Sequence, residues 1–587
     1  MSHQVKKKLG VTLHSGEAEF RVWAPFATNV RLLVPFLGVY DGSNTHDMLN
    51  EGDGYWSVFV EAEAGQSYKF LIDTGRELLQ RNDPRGRIIT SSENGVSVVA
   101  ATDFDWGDDL FMPIPKAEQI IYELHIGTFN RKDPATGGTF YDAIEKLDYL
   151  KELGVNMIEL MPVTSMTYSN GWGYNTSDIF SVETAYGGRH GLMEFVKACH
   201  ARGIGVIIDV VYNHFMSSDL WRFDGWYEND RGGIYFYNDE RGETPWGARP
   251  DYGRPEVRQF LIDNVVMWFS EFRVDGLRLD STAYMRNTKG YNDDPPHDIG
   301  DAWSLMQEIS TTAHKVRPGA IVIAEDVSTN EFITKPHMDG GCGFDAQWGI
   351  VFPHAIRQLI GLNIGEPVDF LTELYHYYNG HAFEKIIFSD SHDTAANGSS
   401  RITAAITPTH PGSVLARKRL LLASAITLTS PGIPMLLQGQ EFMQEGAFND
   451  WQMLEWEKTK QFSGIVTAHQ HLIALRRNLA AQTGGLIGES VALFHRDEHN
   501  NIMGYHRWNA GGKGDDTLII ANFNRDSFAE YRLKLPLGGT WMVRFNSSWT
   551  GYSPDFEGEK IETITTDDTS IATLPIPGYG VYILSQE

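Results

Sequence analysis

From Gln119 to about Leu437 one pattern recurs: a short apolar run, one or two polar residues at its end, then a longer amphipathic segment. The runs are Ile120 to His125, Val155 to Leu160, Val206 to Val211, Val274 to Asp280, Ala320 to Asp326, Lys385 to Phe388 and Ile433 to Leu437. Strands that are apolar throughout, rather than alternating, are buried on both faces, as parallel strands crossed over by helices are. The segments between them read as helices. Thr139 to Leu153 carries Ile144, Leu147, Leu150 and Leu153 on one face and stops at Gly154, and Gly191 to Arg202 stops at Gly203. Glu256 to Phe272 repeats Phe260, Leu261, Val265, Trp268 and Phe269 at helical spacing. About eight strand candidates over some 350 residues suit a closed (β/α)8 TIM barrel better than an open doubly wound sheet.

The 587 residues are too many for one hydrophobic core. Residues 1–105 contain short alternating runs (Ala18 to Trp23, Tyr55 to Val60, Ser67 to Ile72) parted by glycine and acidic turns, the pattern of an N-terminal β-sandwich. Arg81 to Pro84 and the polar stretch to Asn94 read as its exit, and Asp103 to Pro115 as a linker. Residues 106–484 hold the barrel. From 485 to 587 alternating strands return (Val491 to His495, Ile502 to His506, Thr517 to Phe523), giving a C-terminal β-sandwich. The overall class is α/β.

A formal charge of -27 argues against nucleic acid or an anionic membrane as partner, since both need a basic surface, and favours an uncharged ligand. The two cysteines, Cys199 and Cys342, cannot make a disulfide framework and read as small buried residues. Met1 to Lys8 is basic, but no apolar segment of signal-peptide length follows it, and no apolar run is long enough to span a bilayer. The expected location is cytoplasmic.

Strand after strand ends in acids, histidines or an arginine: Asp209 and His214, Arg278 and Asp280, Glu325 and Asp326, His392 and Asp393. In a barrel these ends share the face where active sites lie. Side chains alternate along a strand, so Arg278 points the same way as Asp280. Asp209, Asp280 and Glu325 could hold a divalent ion, but Arg278 would repel one. There is no phosphate-binding glycine loop and no zinc-type histidine pair, so neither cofactor nor metal is expected. Glycoside chemistry uses every residue of the set: one carboxylate attacks the anomeric carbon, an arginine keeps it ionised, and a second acid in a drier setting holds a proton for the leaving oxygen. An insertion at 215–252 adds Phe215, Trp221, Phe223, Trp226, Tyr227, Tyr235, Phe236, Tyr237, Trp246 and Tyr252 among Gly, Asp and Asn. Such aromatic faces stack on sugar rings, or else form a small core of their own. Trp172 and Tyr174, after the second strand, read in the same way.

The runs DVVYNH (Asp209 to His214), GLRLD (Gly276 to Asp280), IAED (Ile323 to Asp326) and SHD (Ser391 to Asp393) resemble, in order, the four signature segments of the α-amylase family of glycoside hydrolases and transglycosylases. FRVWAP (Phe20 to Pro25) resembles the sandwich module that precedes the barrel in glycogen branching enzymes, debranching enzymes and maltooligosyltrehalose trehalohydrolases. The resemblance implies that Asp280 is the nucleophile, Glu325 the general acid/base and Asp393 the third carboxylate, binding sugar hydroxyls. It implies that Arg278 orients the nucleophile, that His214 and His392 hold the sugar at the cleavage point, that Asp209 is structural and that Tyr174 stacks. The implied substrate is an α-glucan or maltooligosaccharide, cleaved with retention. EDVS (Glu325 to Ser328) resembles the branching-enzyme form of its segment, whereas ELHIGTF and ELMPV look equally like the trehalohydrolases. The expected activity is 1,4-α-glucan branching, with hydrolysis by a trehalohydrolase or debranching type as the alternative. A glucan-binding scaffold without activity is a third reading, disfavoured because all three carboxylates are present.

Overall fold

Each apolar run of the middle region forms a strand of one closed parallel barrel: β1 Ile121–Leu124, β2 Met157–Leu160, β3 Gly205–Val210, β4 Gly276–Leu279, β5 Ile321–Ala324, β6 Ala346–Trp348, β7 Lys385–Ile387 and β8 Ile433–Leu437. They pair in that order, and β8 closes on β1 with Met435 opposite Ile121. The structure is a computed structural model and describes residues 8–36, 44–90, 95–101, 103–132, 136–167, 171–216, 218–362 and 368–587. The basic stretch expected at 1–7 and part of the expected sandwich exit, 91–94, lie outside the described residues.

Alternation decides what each strand presents. Ile121, Met157, Ile207, Ile321, Ile323, Ile386, Ile433 and Met435 form one buried cluster inside the barrel. Their neighbours of opposite parity, among them Tyr122, Leu124, Ile158, Val206, Ile208, Leu277 and Leu279, join the larger core under the helices. Two residues beyond Ile121, Met157, Ile207 and Gly276, the inward parity brings up Glu123, Glu159, Asp209 and Arg278, with Glu123 opposite Glu159 and Asp209 opposite Arg278. Burying each aliphatic side chain contributes roughly 2 kcal/mol. That offsets the cost of holding a polar layer directly above.

The helix expected over Thr139 to Leu153 is two helices, Phe140–Ile144 and Leu147–Leu153. A spacing of three residues drifts by about 60° per step around an α-helix, so Ile144, Leu147, Leu150 and Leu153 cannot all stay on one straight face. The break at Glu145 and Lys146 resets the phase. Thr139 and Asp142 cap the first helix reciprocally, and Gly154 ends the second at φ 99°.

The N-terminal sandwich sets Gly10–Leu13, Ala18–Trp23, Tyr55–Val60 and Leu49–Gly52 against a sheet built on Asn29–Leu33 and Ser67–Asp73. It takes two more strands, Ile88–Ile89 within the exit expected over 81–94 and Ser97–Val98 just after it. The cause is local: Ser97 N–H donates to Asn82 Oδ1 (3.0 Å) and Asp83 N–H to Ser97 Oγ (2.9 Å), folding the segment back onto the sheet. The C-terminal unit packs a six-stranded sheet, which includes Ser490–Asp497, Ile502–Trp508 and Thr517–Asn522, over the pair Phe528–Lys534 and Ile571–Ile576. Among the described residues no helix is long and apolar enough to cross a membrane.

The structure decides between the two readings of the aromatic insertion. Phe215, Phe223, Tyr235, Phe236, Tyr237 and Tyr252 are buried, so they form the insertion's own core instead of a sugar platform. Trp246 is 45% exposed and lines the cleft at the barrel mouth. The N-terminal sandwich braces this insertion: Arg81 donates to the carbonyls of Phe223 (3.0 Å) and Arg222 (3.1 Å), Phe26 N–H donates to Asp224 (2.9 Å), and Phe26 stacks on Trp226 at 4.7 Å.

Candidate active site

The chain leaves β4 at Leu279 and turns at once. Ser281 takes a left-handed backbone (φ 46°) before the short helix Thr282–Arg286. A strained turn of this kind costs on the order of 1 kcal/mol and persists only where its surroundings enforce it. Here it leaves Asp280 at the barrel mouth and directs Ser281 N–H to Glu325 Oε2 at 2.7 Å. Glu325 follows β5, and Arg278 bridges the two acids: Nη1 lies 2.9 Å from Asp280 Oδ1 and Nη2 lies 3.3 Å from Glu325 Oε2. Asn213 donates to the other oxygen of Asp280 at 2.6 Å. The guanidinium rests over the ring of Trp348 in β6, 4.4 Å from its centroid.

The two acids differ in environment. Glu325 has its pKa raised to about 8: burial is the main cause, Arg278 opposes it, and the charges of Asp280 and Asp393 add to it. At neutral pH it therefore holds its proton. Asp209, below Asp280 and 2.8 Å from Arg278, is raised to about 7, again by burial first. Glu159 in β2 is raised to about 8 by burial, with Arg278 opposing. One guanidinium cannot neutralise so many buried carboxyls, so some stay protonated.

The other wall centres on His392. Its Nδ1 lies 2.5 Å from Glu123 Oε1, and its Nε2 lies 3.0 Å from Tyr174 Oη and 3.4 Å from Asp393 Oδ2. Tyr174 stacks on the His392 ring at 5.3 Å and donates its hydroxyl proton to Asp209 at 2.7 Å. Asp393, with 48% of its side chain exposed, is the most open of the three acids. Trp172 meets the His392 ring edge-on at 5.6 Å. His214 lines the same cleft, with both ring nitrogens already facing acceptors, Asn213 Oδ1 and the Tyr174 carbonyl, and with its pKa lowered by burial. Every residue singled out from the strand ends and from 172–174 is thus in or directly beneath one cleft of about 590 Å³, Asp326 excepted. Asp326 is buried behind it in a pair with Arg286 (2.9 Å).

Residues 124–250 and 221–474 match the model of the α-amylase catalytic domain. The chain belongs to the α-amylase family. Residues 494–587 match the family's C-terminal all-β domain and 8–86 match carbohydrate-binding module 48, the isoamylase N-terminal domain. A 1,4-α-glucan branching enzyme GlgB from Corynebacterium jeikeium is 30% identical over 581 residues, 93% of this chain and 78% of that protein. A malto-oligosyltrehalose trehalohydrolase from Saccharolobus solfataricus is 30% identical over 472 residues, 75% of this chain and 76% of its own length. Type I pullulanase from Bacillus subtilis, solved with maltose, shares the fold at a TM-score of 0.77 and 21% identity, covering 99% of this chain and 85% of its own.

In this α-amylase-family chain four residues of the site escaped the sequence reading. Glu123 had a signal, an acid inside an otherwise apolar strand, but nothing to name its partner. Trp348 had none, because β6 is only three residues long. Val327 and Asn397, which also line the cleft, sit in loops without a pattern.

Proposed function

We propose that this chain is a retaining 1,4-α-glucan branching enzyme acting on α-glucans and maltooligosaccharides through Asp280, Glu325 and Asp393. The observation that carries the chemistry is Arg278, one guanidinium joining Asp280 and Glu325 at the mouth of a closed barrel. As Asp280 attacks the anomeric carbon, Glu325 gives its proton to the glycosidic oxygen and the leaving chain departs. The product is a glycosyl ester on Asp280. Glu325, now a carboxylate, takes the proton of an acceptor 6-hydroxyl, whose oxygen attacks the same carbon and frees Asp280. Asp393 and His392 bind hydroxyls of the ring being transferred, and Trp172 and Tyr174 pack its face.

Transfer rather than hydrolysis is supported by the extent of the likeness. The branching-enzyme relative matches 93% of the chain, the trehalohydrolase 75%. We assign three units, 1–105, 106–484 and 485–587, with the whole reaction on the middle one. The second reading, hydrolysis, is favoured by the trehalohydrolase itself. Amylose separates the two: branching shifts the iodine spectrum, creates α-1,6 links and releases no reducing ends. A rise in reducing ends that tracks the loss of colour, or release of trehalose from a trehalose-capped maltooligosaccharide, overturns the transfer reading.

A further inference from the structure

Glu123 lies in β1 and His392 follows β7, and β8 separates the two strands. Even so, the Glu123 carboxylate grips His392 at two points. Oε1 accepts from ring Nδ1 at 2.5 Å and Oε2 accepts from the backbone N–H at 2.9 Å. Both residues are buried, Glu123 to 1% exposure.

The protons along this wall can be counted. A tyrosine hydroxyl has one proton, and a guanidinium only donates. Asp209 Oδ2 accepts from Arg278 at 2.8 Å and lies 2.7 Å from Tyr174 Oη; with Oδ2 unprotonated, the hydroxyl proton of Tyr174 goes to Asp209. At its 3.0 Å contact with His392 Nε2 the tyrosine oxygen is then the acceptor, and Nε2 carries a proton. Nδ1, facing a carboxylate, carries the other. On this count the ring is an imidazolium.

We propose that Glu123 is a positioning residue of the reaction: it keeps His392 doubly protonated, with Nε2–H directed at Tyr174 and Asp393 on the cleft wall. This rests on the reading of the cleft as the glucan site. The groups that face His392 are Glu123 from β1, His125 just past it, Glu159 from β2, Tyr174 from the loop after β2, Arg278 from β4 and Asp393 beside it. Burial opposes the cation, as does Arg278. Asp393 and Glu123 outweigh them and lift the ring to about 9. Without the Glu123 charge His392 sheds a proton and Nε2 becomes an acceptor. Tyr174 can then turn its hydroxyl from Asp209 to His392, loosening the support under Arg278.

The test titrates His392 by NMR, with 13C and 15N labels in the histidine rings of the full chain, alongside the pH profile of amylose modification. In the wild type the His392 signals stay those of a cation through neutral pH, with a midpoint near 9. In Glu123→Gln the midpoint drops to roughly 6.5 or below, the ordinary range, and the alkaline limb of the activity profile moves to lower pH. Glu123→Asp, which keeps a charge, retains the cation at pH 7.5. A neutral His392 in the wild type at pH 7.5 overturns the proposal, and that measurement needs no variant. So does a Gln variant with an unchanged midpoint. Failure to act on amylose would remove the proposed function and leave the ring titration to decide on Glu123.

Discussion

At the residue scale, Arg278 holds the site together. It touches Asp209, Asp280 and Glu325 at 2.8–3.3 Å, whereas Glu159, buried in the same layer, has an Oε2 without a hydrogen-bond partner. Its raised pKa, about 8 against an ordinary 4.5, fixes a sign. The native state holds this proton more tightly than the unfolded chain does. Glu159 therefore costs no stability below about pH 4.5 and costs progressively more up to about pH 8, where the penalty levels off at a few kcal/mol at most. Glu159→Gln, which is neutral at all pH, should raise the melting temperature by several degrees at pH 8.5 and change it little near pH 5. Calorimetry at the two values checks this. An equal effect at both would mean that the charge is not the cause.

At the element scale, the strands that could be read were those long enough to repeat. Seven of the eight are in the sequence as apolar runs, and the polar residues closing four of them converge where a barrel puts them. β6 could not be read: Ala346-Gln347-Trp348 is too short for any period. The Glu123–His392 contact was hidden for a different reason. Its residues are 269 positions apart, and only barrel closure brings them together. The insertion stayed open between its two readings on a third ground, since composition cannot tell an aromatic core from an aromatic wall. β6 matters because Trp348 is the surface on which Arg278 lies. Trp348→Ala should lower stability by about 3–5 kcal/mol. It should also lower kcat/KM on amylose at temperatures where the variant is folded, because the guanidinium loses its seat. Full activity in a folded variant would show that Arg278 does not need the ring.

At the scale of the whole molecule, the N-terminal sandwich is bound to the catalytic face through the insertion. Arg81 and Phe26 hold residues 222–224, Arg85 pairs with Asp263 at 2.8 Å and Arg87 with Glu271 at 2.8 Å. Removing 1–105 should therefore do more than remove a module. It should lower the melting temperature and raise KM for maltooligosaccharides, because the insertion that carries Trp246 is no longer braced. An unchanged KM in the truncated chain, measured below its melting point, would detach the sandwich from the cleft.

Asp280 as nucleophile and Glu325 as acid/base are the central assignment. In Glu325→Gln, α-maltosyl fluoride should still react, since fluoride leaves without a proton, while the base needed to activate the acceptor is gone. Mass spectrometry should then find a maltosyl ester on the peptide containing Asp280, absent from the variant that also carries Asp280→Asn. An adduct on another residue, or none while the fluoride is consumed, would contradict it.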